Sequence, residues 1–146
     1  MMLMTALLLT ACNYYNKVYD KYVHADARGW EKNEPITFGI DSLDEGGQFA
    51  MVLGLRIGDN YPFQNLQIVV DQTIYPSQQT LHDVIECQVT DRNGIMLGQG
   101  VSIHQHTLPV RRYHYQKGDS ITVRVRHNMK REILPGIMDV GIMLKK

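Results

Sequence analysis

Phe49-Ala50-Met51-Val52-Leu53-Gly54-Leu55-Arg56-Ile57 decides the fold class. Phe49, Met51, Leu53, Leu55 and Ile57 fall in one phase and Ala50, Val52, Gly54 and Arg56 in the other, a period of two that puts one face of a β-strand into a core. A helix would instead group its apolar residues at intervals of three and four. Outward from this strand the same alternation returns at Leu66, Ile68 and Val70, at Ile85, Cys87 and Val89, and at Val101 and Ile103. It continues at Ile121, Val123 and Val125 and at Val140, Ile142 and Leu144. Turn-forming residues separate the runs: Gly46-Gly47, Asp59-Asn60-Tyr61-Pro62, Tyr75-Pro76, Asp91-Arg92-Asn93-Gly94, Lys117-Gly118-Asp119 and Leu134-Pro135-Gly136. Asn93-Gly94 is the clearest hairpin signal, because both residues tolerate the positive φ of a type I′ turn. With Pro35–Ile40 and a short Ile95–Leu97 arm, the pattern predicts about eight strands and little helix. That is an all-β chain folded as an antiparallel β-sandwich. A jelly roll of two four-stranded sheets is the first topology expected; an immunoglobulin-like order has the same pattern.

The other decisive stretch lies at the beginning of the sequence. Met1 to Ala11 is an apolar run ending in a small residue, and Cys12 follows, the pattern that a lipoprotein signal peptidase reads. The run stops well short of the roughly 20 apolar residues that a membrane-spanning helix needs. No Lys or Arg precedes Lys17, so the charged opening usual for an export signal is missing from this stretch. The expected organisation is a signal peptide over 1–11, a lipidated N-terminus and tether over 12–29, and one β-sandwich domain over 30–146. The tether is tyrosine-rich. Tyr19 and Tyr22 suit either the headgroup level of a membrane or packing onto the domain.

Cysteine usage is consistent with this. The chain has two cysteines, and lipid on the sulfur of Cys12 leaves Cys87 without a partner in the chain. In phase with Ile85 and Val89, Cys87 reads as a small buried hydrophobe. Asp83 and Glu86 are its nearest charges, the opposite of the electropositive setting that activates a thiol. The formal net charge is zero, but acids exceed bases from Asn13 to Gly100 and bases exceed acids from Val101 to Lys146. This asymmetry suits internal pairing or a solvated face. No nucleic-acid-binding motif accompanies the basic residues, so nucleic acid is not an expected partner.

Residues that could carry chemistry are scattered. His104 and His106 project from the same face of a strand, a spacing able to place two imidazoles on one metal. No third ligand is evident, and because Val101 and Ile103 take the other phase, the pair is expected to be exposed. His127 continues the inward phase of Val123 and Val125 and reads as a buried, hydrogen-bonded histidine. Asp41, Asp44, Glu45 and Asp91 fall in turns. No phosphate loop, zinc pattern, dinucleotide fingerprint or Gly-x-Ser-x-Gly elbow is present. The expectation is therefore a protein without catalytic residues, cofactor or metal.

A series of motifs goes beyond scaffolding. Val18-Tyr19-Asp20-Lys21-Tyr22 follows the cysteine, then Gly29-Trp30, Ile36-Thr37-Phe38, Leu53-Gly54-Leu55-Arg56 and Tyr61-Pro62-Phe63-Gln64-Asn65-Leu66. Gly98-Gln99-Gly100-Val101, Gly118-Asp119-Ser120 and the long run Arg126 to Ile142 come later. In this order the motifs resemble those of the gliding-motility lipoprotein GldH family, over nearly the whole mature chain. The resemblance implies a non-enzymatic lipoprotein of the cell envelope. It also implies association with other motility and secretion lipoproteins, with no catalytic residues to carry over.

Physically, Trp30 and Phe38 are placed to plug one end of the sandwich. Tyr61-Pro62-Phe63 reads as a turn flanked by rings that cover a core edge, and Leu134-Pro135-Gly136 suits a type II turn. Arg56, His127, Arg131, Glu132 and Asp139 are the candidate partner-binding residues; ion pairs that hold loops in place are the alternative use for them. Expected partners are the membrane, through lipid on Cys12, and other envelope proteins. The expected location is an outer-membrane anchor facing the periplasm, since Asn13 is not the aspartate of an inner-membrane retention signal and no acidic cluster follows Cys12. A carbohydrate-binding β-sandwich lipoprotein is the competing reading, and it requires exposed aromatic platforms on a concave face.

Overall fold

The computed structural model describes residues 17–146. The leader, Cys12, Tyr14 and Tyr15 lie outside the described residues. Ten strands follow one another: β1 (Lys17–His24), β2 (Trp30–Glu31), β3 (Ile36–Ile40), β4 (Gly47–Gly58), β5 (Asn65–Tyr75), β6 (Gln79–Gln88), β7 (Ile103–Tyr115), β8 (Ser120–His127), β9 (Ile133–Leu134) and β10 (Ile137–Lys145). Eight of them form two four-stranded sheets, β1-β10-β4-β7 and β3-β8-β5-β6, while β2 and β9 make a two-residue pair of their own. The antiparallel pairing is nested. β5 pairs with β6, β4 with β7, β3 with β8, β2 with β9 and β1 with β10. A chain that folds back on itself as one long hairpin and then rolls into two sheets is a jelly roll, so strand order decides between the two topologies that the pattern allowed.

The alternation in the opening stretch of β4 is realised. Phe49, Met51, Leu53, Leu55 and Ile57 are buried against Phe38, Leu66, Ile68, Val70, Val123 and Val125 of the facing sheet. Burying one such aliphatic side chain is worth about 1.5–3 kcal/mol, and this interlayer is what holds the sheets together. Polar contacts close one side of the sandwich, where the edge strands β6 and β7 meet. Arg111 grips Asp83 through two hydrogen bonds, Nε to Oδ2 at 2.9 Å and Nη2 to Oδ1 at 3.0 Å. Beside them Tyr113 Oη donates to Gln79 Oε1 at 2.9 Å and Tyr115 Oη donates to Gln72 Oε1.

Five features differ from the sequence reading. Residues 17–24, expected in the tether, form β1, with Lys21 opposite Ile142 and Val23 opposite Val140. The chain therefore enters the sheet thirteen residues before the expected domain boundary at 30. His104 and His106 are buried while Val101 is 93% exposed and Ile103 43% exposed. The reason is register: His104 lies opposite Ile57 and His106 opposite Leu55, and residues opposed across a ladder share a face. Asn93-Gly94 does turn the chain, yet Gly94 has φ +79° and Asn93 is not in the positive region. The Asp91 carboxylate accepts from Asn93 N–H (2.8 Å) and Ile95 N–H (2.9 Å), so an Asx-stabilised turn with a left-handed glycine replaces type I′. Ile95–Leu97 forms only an isolated bridge, Thr90 with Met96. Finally, Leu134-Pro135-Gly136, expected as a type II turn, forms neither a turn nor a bend but a short link between β9 and β10, in which Gly136 has φ +91° and donates its N–H to the Ala27 carbonyl at 2.9 Å.

Candidate interaction site

The outward phase of β4 carries the polar residues of this sheet, and the ladder aligns them with chain-remote partners. One row across the outer face reads His24, Asp139, Arg56, Gln105, from β1, β10, β4 and β7 in turn. The next row reads Tyr22, Gly141, Gly54, Thr107. The two glycines create a slot. A Cβ on Gly141 would stand 2.7–2.8 Å from Tyr22 ring carbons, and one on Gly54 2.2 Å from its hydroxyl, so the tyrosine ring lies flat across two strands where side chains are missing. Covering a strand glycine with a neighbouring ring is a known way to restore packing to a sheet.

Tyr22 in turn organises the row beside it. The Arg56 guanidinium sits over its ring, Cζ 4.0 Å from the centroid. Arg56 Nε donates to Gln105 Oε1 at 3.1 Å, and Gln105 Nε2 donates to the Tyr22 hydroxyl. Arg56 Nη1 lies 3.6 Å from Asp139 Oδ2. His24 Nδ1 approaches Oδ1 of the same carboxylate as an ion-pair neighbour, although that oxygen has no partner of hydrogen-bond geometry. Arg56 is 41% exposed and Asp139 11%. Asp139 is buried beneath a half-exposed Arg56, whose contact with solvent keeps the pair to about 0–1 kcal/mol. The pair's main effect is to hold a cation, an aromatic face and an imidazole in fixed relative positions on an open surface.

Of the five candidate residues, the structure brings Arg56 and Asp139 together and places the other three elsewhere. His127 is fully buried, edge-on to Trp30 with centroids 5.4 Å apart. Its Nδ1 accepts from Met129 N–H at 3.3 Å, and Nε2 lies 3.1 Å from the Trp30 carbonyl oxygen, which assigns the proton to Nε2. Burial holds the imidazole below its ordinary pKa. His127 thus locks the loop after β8 to β2 and presents nothing to a partner. Arg131 and Glu132 are exposed on that loop, Arg131 beside Phe63, Asn65, Gln67, Asn128, Met129 and Lys130. Glu132 lies beside Glu31, Lys32, Asn33 and Ile133.

The histidine pair on β7 is the other titratable cluster. His104 Nε2 meets Asp59 Oδ1 at 2.9 Å, whereas His104 Nδ1 and His106 Nε2 are buried without a partner. Burial first, and then the neighbouring His104, holds His106 below its usual pKa. Among the described residues no group of three or more His, Cys, Asp or Glu is placed to hold a metal ion. Cys87 is buried and unpaired, and burial pushes its thiol up to about 11. The sequence reading missed His24 and Gln105 as members of the outer-face row and Tyr22 as the ring beside it. The signal available was the glycine pair Gly54 and Gly141, each in the outward phase of its strand.

Comparison with known proteins supplies the family. The GldH lipoprotein family model matches residues 17–144. The gliding motility lipoprotein GldH of Flavobacterium johnsoniae is 31% identical over 152 residues, covering 99% of this chain and 94% of that protein. The GldH homolog of Christiangramia forsetii is 23% identical, covering 97% and 91%. Among solved structures, a CocE/NonD family hydrolase from Staphylococcus aureus aligns with TM-score 0.48 at 9% identity, over 89% of this chain and 33% of that one. Eiger TNF from S. frugiperda aligns with TM-score 0.39 at 11% identity, over 87% and 85%. With a family match across all but the ends of the sequence and a curated relative at 31% identity over nearly its full length, the chain belongs to the GldH lipoprotein family.

Proposed function

We propose that this GldH lipoprotein is a non-enzymatic interaction subunit of a motility- and secretion-associated envelope assembly. Lipid on Cys12 holds it at the outer membrane, facing the periplasm, and the outer face of the β1-β10-β4-β7 sheet meets a partner protein. The observation that carries this reading is the preorganised row of His24, Asp139, Arg56 and Gln105 beside Tyr22. Arginine stacked on an aromatic ring, with its rotamer fixed by a carboxylate and an amide, has little conformational entropy left to lose on binding. Such residues dominate protein interfaces. The row also sits on rigid strands rather than loops, which preserves its geometry in the free protein.

Anchoring at residue 12 brings this face close to the membrane. Four residues separate Cys12 from Lys17, the first residue of β1, a span of at most about 17 Å when extended. Chemical crosslinking in cells followed by pulldown of the lipidated protein should recover specific envelope proteins, and Arg56→Glu should abolish that recovery while leaving the thermal midpoint within a few degrees. Equal recovery with the Arg56→Glu variant would remove the outer face from the proposal. Recovery of no protein, together with selective glycan-array binding, would overturn the subunit reading. Mass spectrometry of the mature N-terminus and protease shaving of intact cells test the lipid and the leaflet.

A further inference from the structure

A second surface lies on the other sheet, where two stretches more than sixty residues apart in sequence meet. Phe63, Asn65 and Gln67, from the entry into β5, and Asn128, Met129, Lys130 and Arg131, from the loop after β8, enclose a concavity of about 430 Å³. Its walls are fixed from several sides. Tyr61 packs edge-on to Phe63 with centroids 5.9 Å apart, and the Tyr61 hydroxyl donates to the Asn65 carbonyl at 2.6 Å. Across the concavity Lys32 Nζ donates to the Met129 carbonyl at 2.9 Å, Gln67 N–H points at Met129 Sδ at 3.4 Å and Asn128 N–H donates to the Gln67 carbonyl at 2.8 Å.

The polar groups here divide into two kinds. Two of the three lining amides are bonded: Asn128 Nδ2 donates to Gln67 Oε1, and Gln67 Nε2 donates to Glu86. Lys130 and Arg131, by contrast, are exposed, no acid lines the concavity, and neither cation has an ion-pair partner among the described residues. The half-buried Phe63 and Met129 supply an apolar floor, and an unbranched thioether adapts to varied side-chain shapes. A sugar needs several free hydrogen-bond partners for its hydroxyls, and with Gln67 and Asn128 bonded to each other the Asn65 side chain is the one lining amide left for them. An apolar side chain flanked by carboxylates needs what remains: a greasy floor and two unpaired cations at the rim.

We infer that this concavity binds a short acidic segment of a partner protein, an apolar side chain seated on Phe63 and Met129 and its flanking carboxylates on Lys130 and Arg131. The inference deepens the interaction-subunit reading and rests on it, but it uses a different face of the molecule. The test is fluorescence anisotropy with the full lipidated chain in detergent micelles and fluorescein-labelled hexapeptides alternating Glu or Asp with Leu or Phe. Controls carry Lys in place of every acid, or Ser in place of every apolar residue. The acidic apolar peptide should bind saturably and more weakly as salt rises. Lys130→Glu with Arg131→Glu should weaken it at least tenfold. Arg92→Glu with Lys117→Glu, the same change of charge on exposed residues elsewhere, should leave it within twofold.

Circular dichroism checks the fold of both double variants. The inference is overturned if no peptide binds saturably, if the lysine peptide binds equally, or if the Lys130 and Arg131 variant binds like the parent. Displacement of the peptide by oligogalacturonate at lower concentration than unlabelled peptide would also overturn it, in favour of an anionic glycan. Crosslinked recovery of envelope proteins that persists in the Lys130→Glu/Arg131→Glu variant while all peptides fail would sink this inference and leave the subunit reading standing.

Discussion

Replacing Gly141 with alanine should destabilise the protein by about 2 kcal/mol, although glycine-to-alanine in a strand is ordinarily a gain. The new methyl would stand 2.7–2.8 Å from three carbons of the Tyr22 ring, so the ring must leave its slot or the strands must shift. Eviction exposes roughly 100 Å² of half-buried ring, taking half of a typical aromatic burial, or about 2.5 kcal/mol at about 25 cal/mol per Å². It also forfeits about 0.5–1 kcal/mol of cation–π attraction to Arg56. Shifting the backbone instead costs about 1–3 kcal/mol. Against either stands a gain of about 0.5–1 kcal/mol from removing glycine's backbone freedom. The decisive arrangement is a double-mutant cycle with Tyr22→Ala, read from urea unfolding midpoints at unchanged slope. With the ring absent, Gly141→Ala should be neutral or stabilising, so the coupling energy should be about 2–3 kcal/mol. An equal cost in both backgrounds, or no cost in the parent, would refute the two-glycine slot as the support for the outer-face row.

Gly136→Ala should be more damaging than most loop substitutions, by about 2–4 kcal/mol in the same assay. Its φ is +91° and its Cβ would lie 2.6–2.7 Å from the Tyr61 backbone. Cys87 should resist thiol reagents at pH 8 in the native protein and react stoichiometrically in guanidinium, since burial both hides it and raises its pKa to about 11. Fast labelling of the native thiol would contradict its placement. Stability should fall on acidification from pH 7.5 to 5.5. His106 and His127 are held below 6.5 when folded and regain their ordinary affinity for protons when unfolded, so below about 6.5 the unfolded chain takes up protons that the native one refuses. His106→Gln with His127→Gln should flatten that slope, measured as the shift of urea midpoint between the two pH values. Asp91→Ala removes the carboxylate oxygen that accepts from both Asn93 N–H and Ile95 N–H and should cost about 1 kcal/mol, seen as a lowered thermal midpoint.

The phase of β4, β5, β8 and β10 was legible because each has a strand on both sides and an apolar face whose alternation survives in the sequence. The edge strand β7 was not. Only its first residue, Ile103, belonged to a run that the pattern marked, and His104 to Tyr115 mixes histidines, arginines and Pro109, residues tolerated where one side of a strand is unpaired. A register shift opposite Met51 and Val52 lets Val110 bulge and moves the inward phase from even to odd positions, so no single period describes this strand. His104 and His106 therefore face inward against the expectation of an exposed pair.

The sequence by itself determined the all-β class, the division into about eight strands, most of the turns that separate them, the burial of Cys87 and His127, and the family. Each of these follows from local periodicity, φ preference or an ordered series of motifs, which are properties of contiguous residues. Tertiary structure alone decided the nested pairing, the recruitment of residues 17–24 into a sheet and the two surfaces on which function is proposed. Arg56 and Asp139 were candidates separately, but nothing local to either announces that β10 sets them side by side with Tyr22 stacked on one and His24 against the other. Strand pairing joins residues more than eighty positions apart through backbone hydrogen bonds that carry no side-chain signature. A surface assembled by register is therefore written in the fold and not in any stretch of the chain.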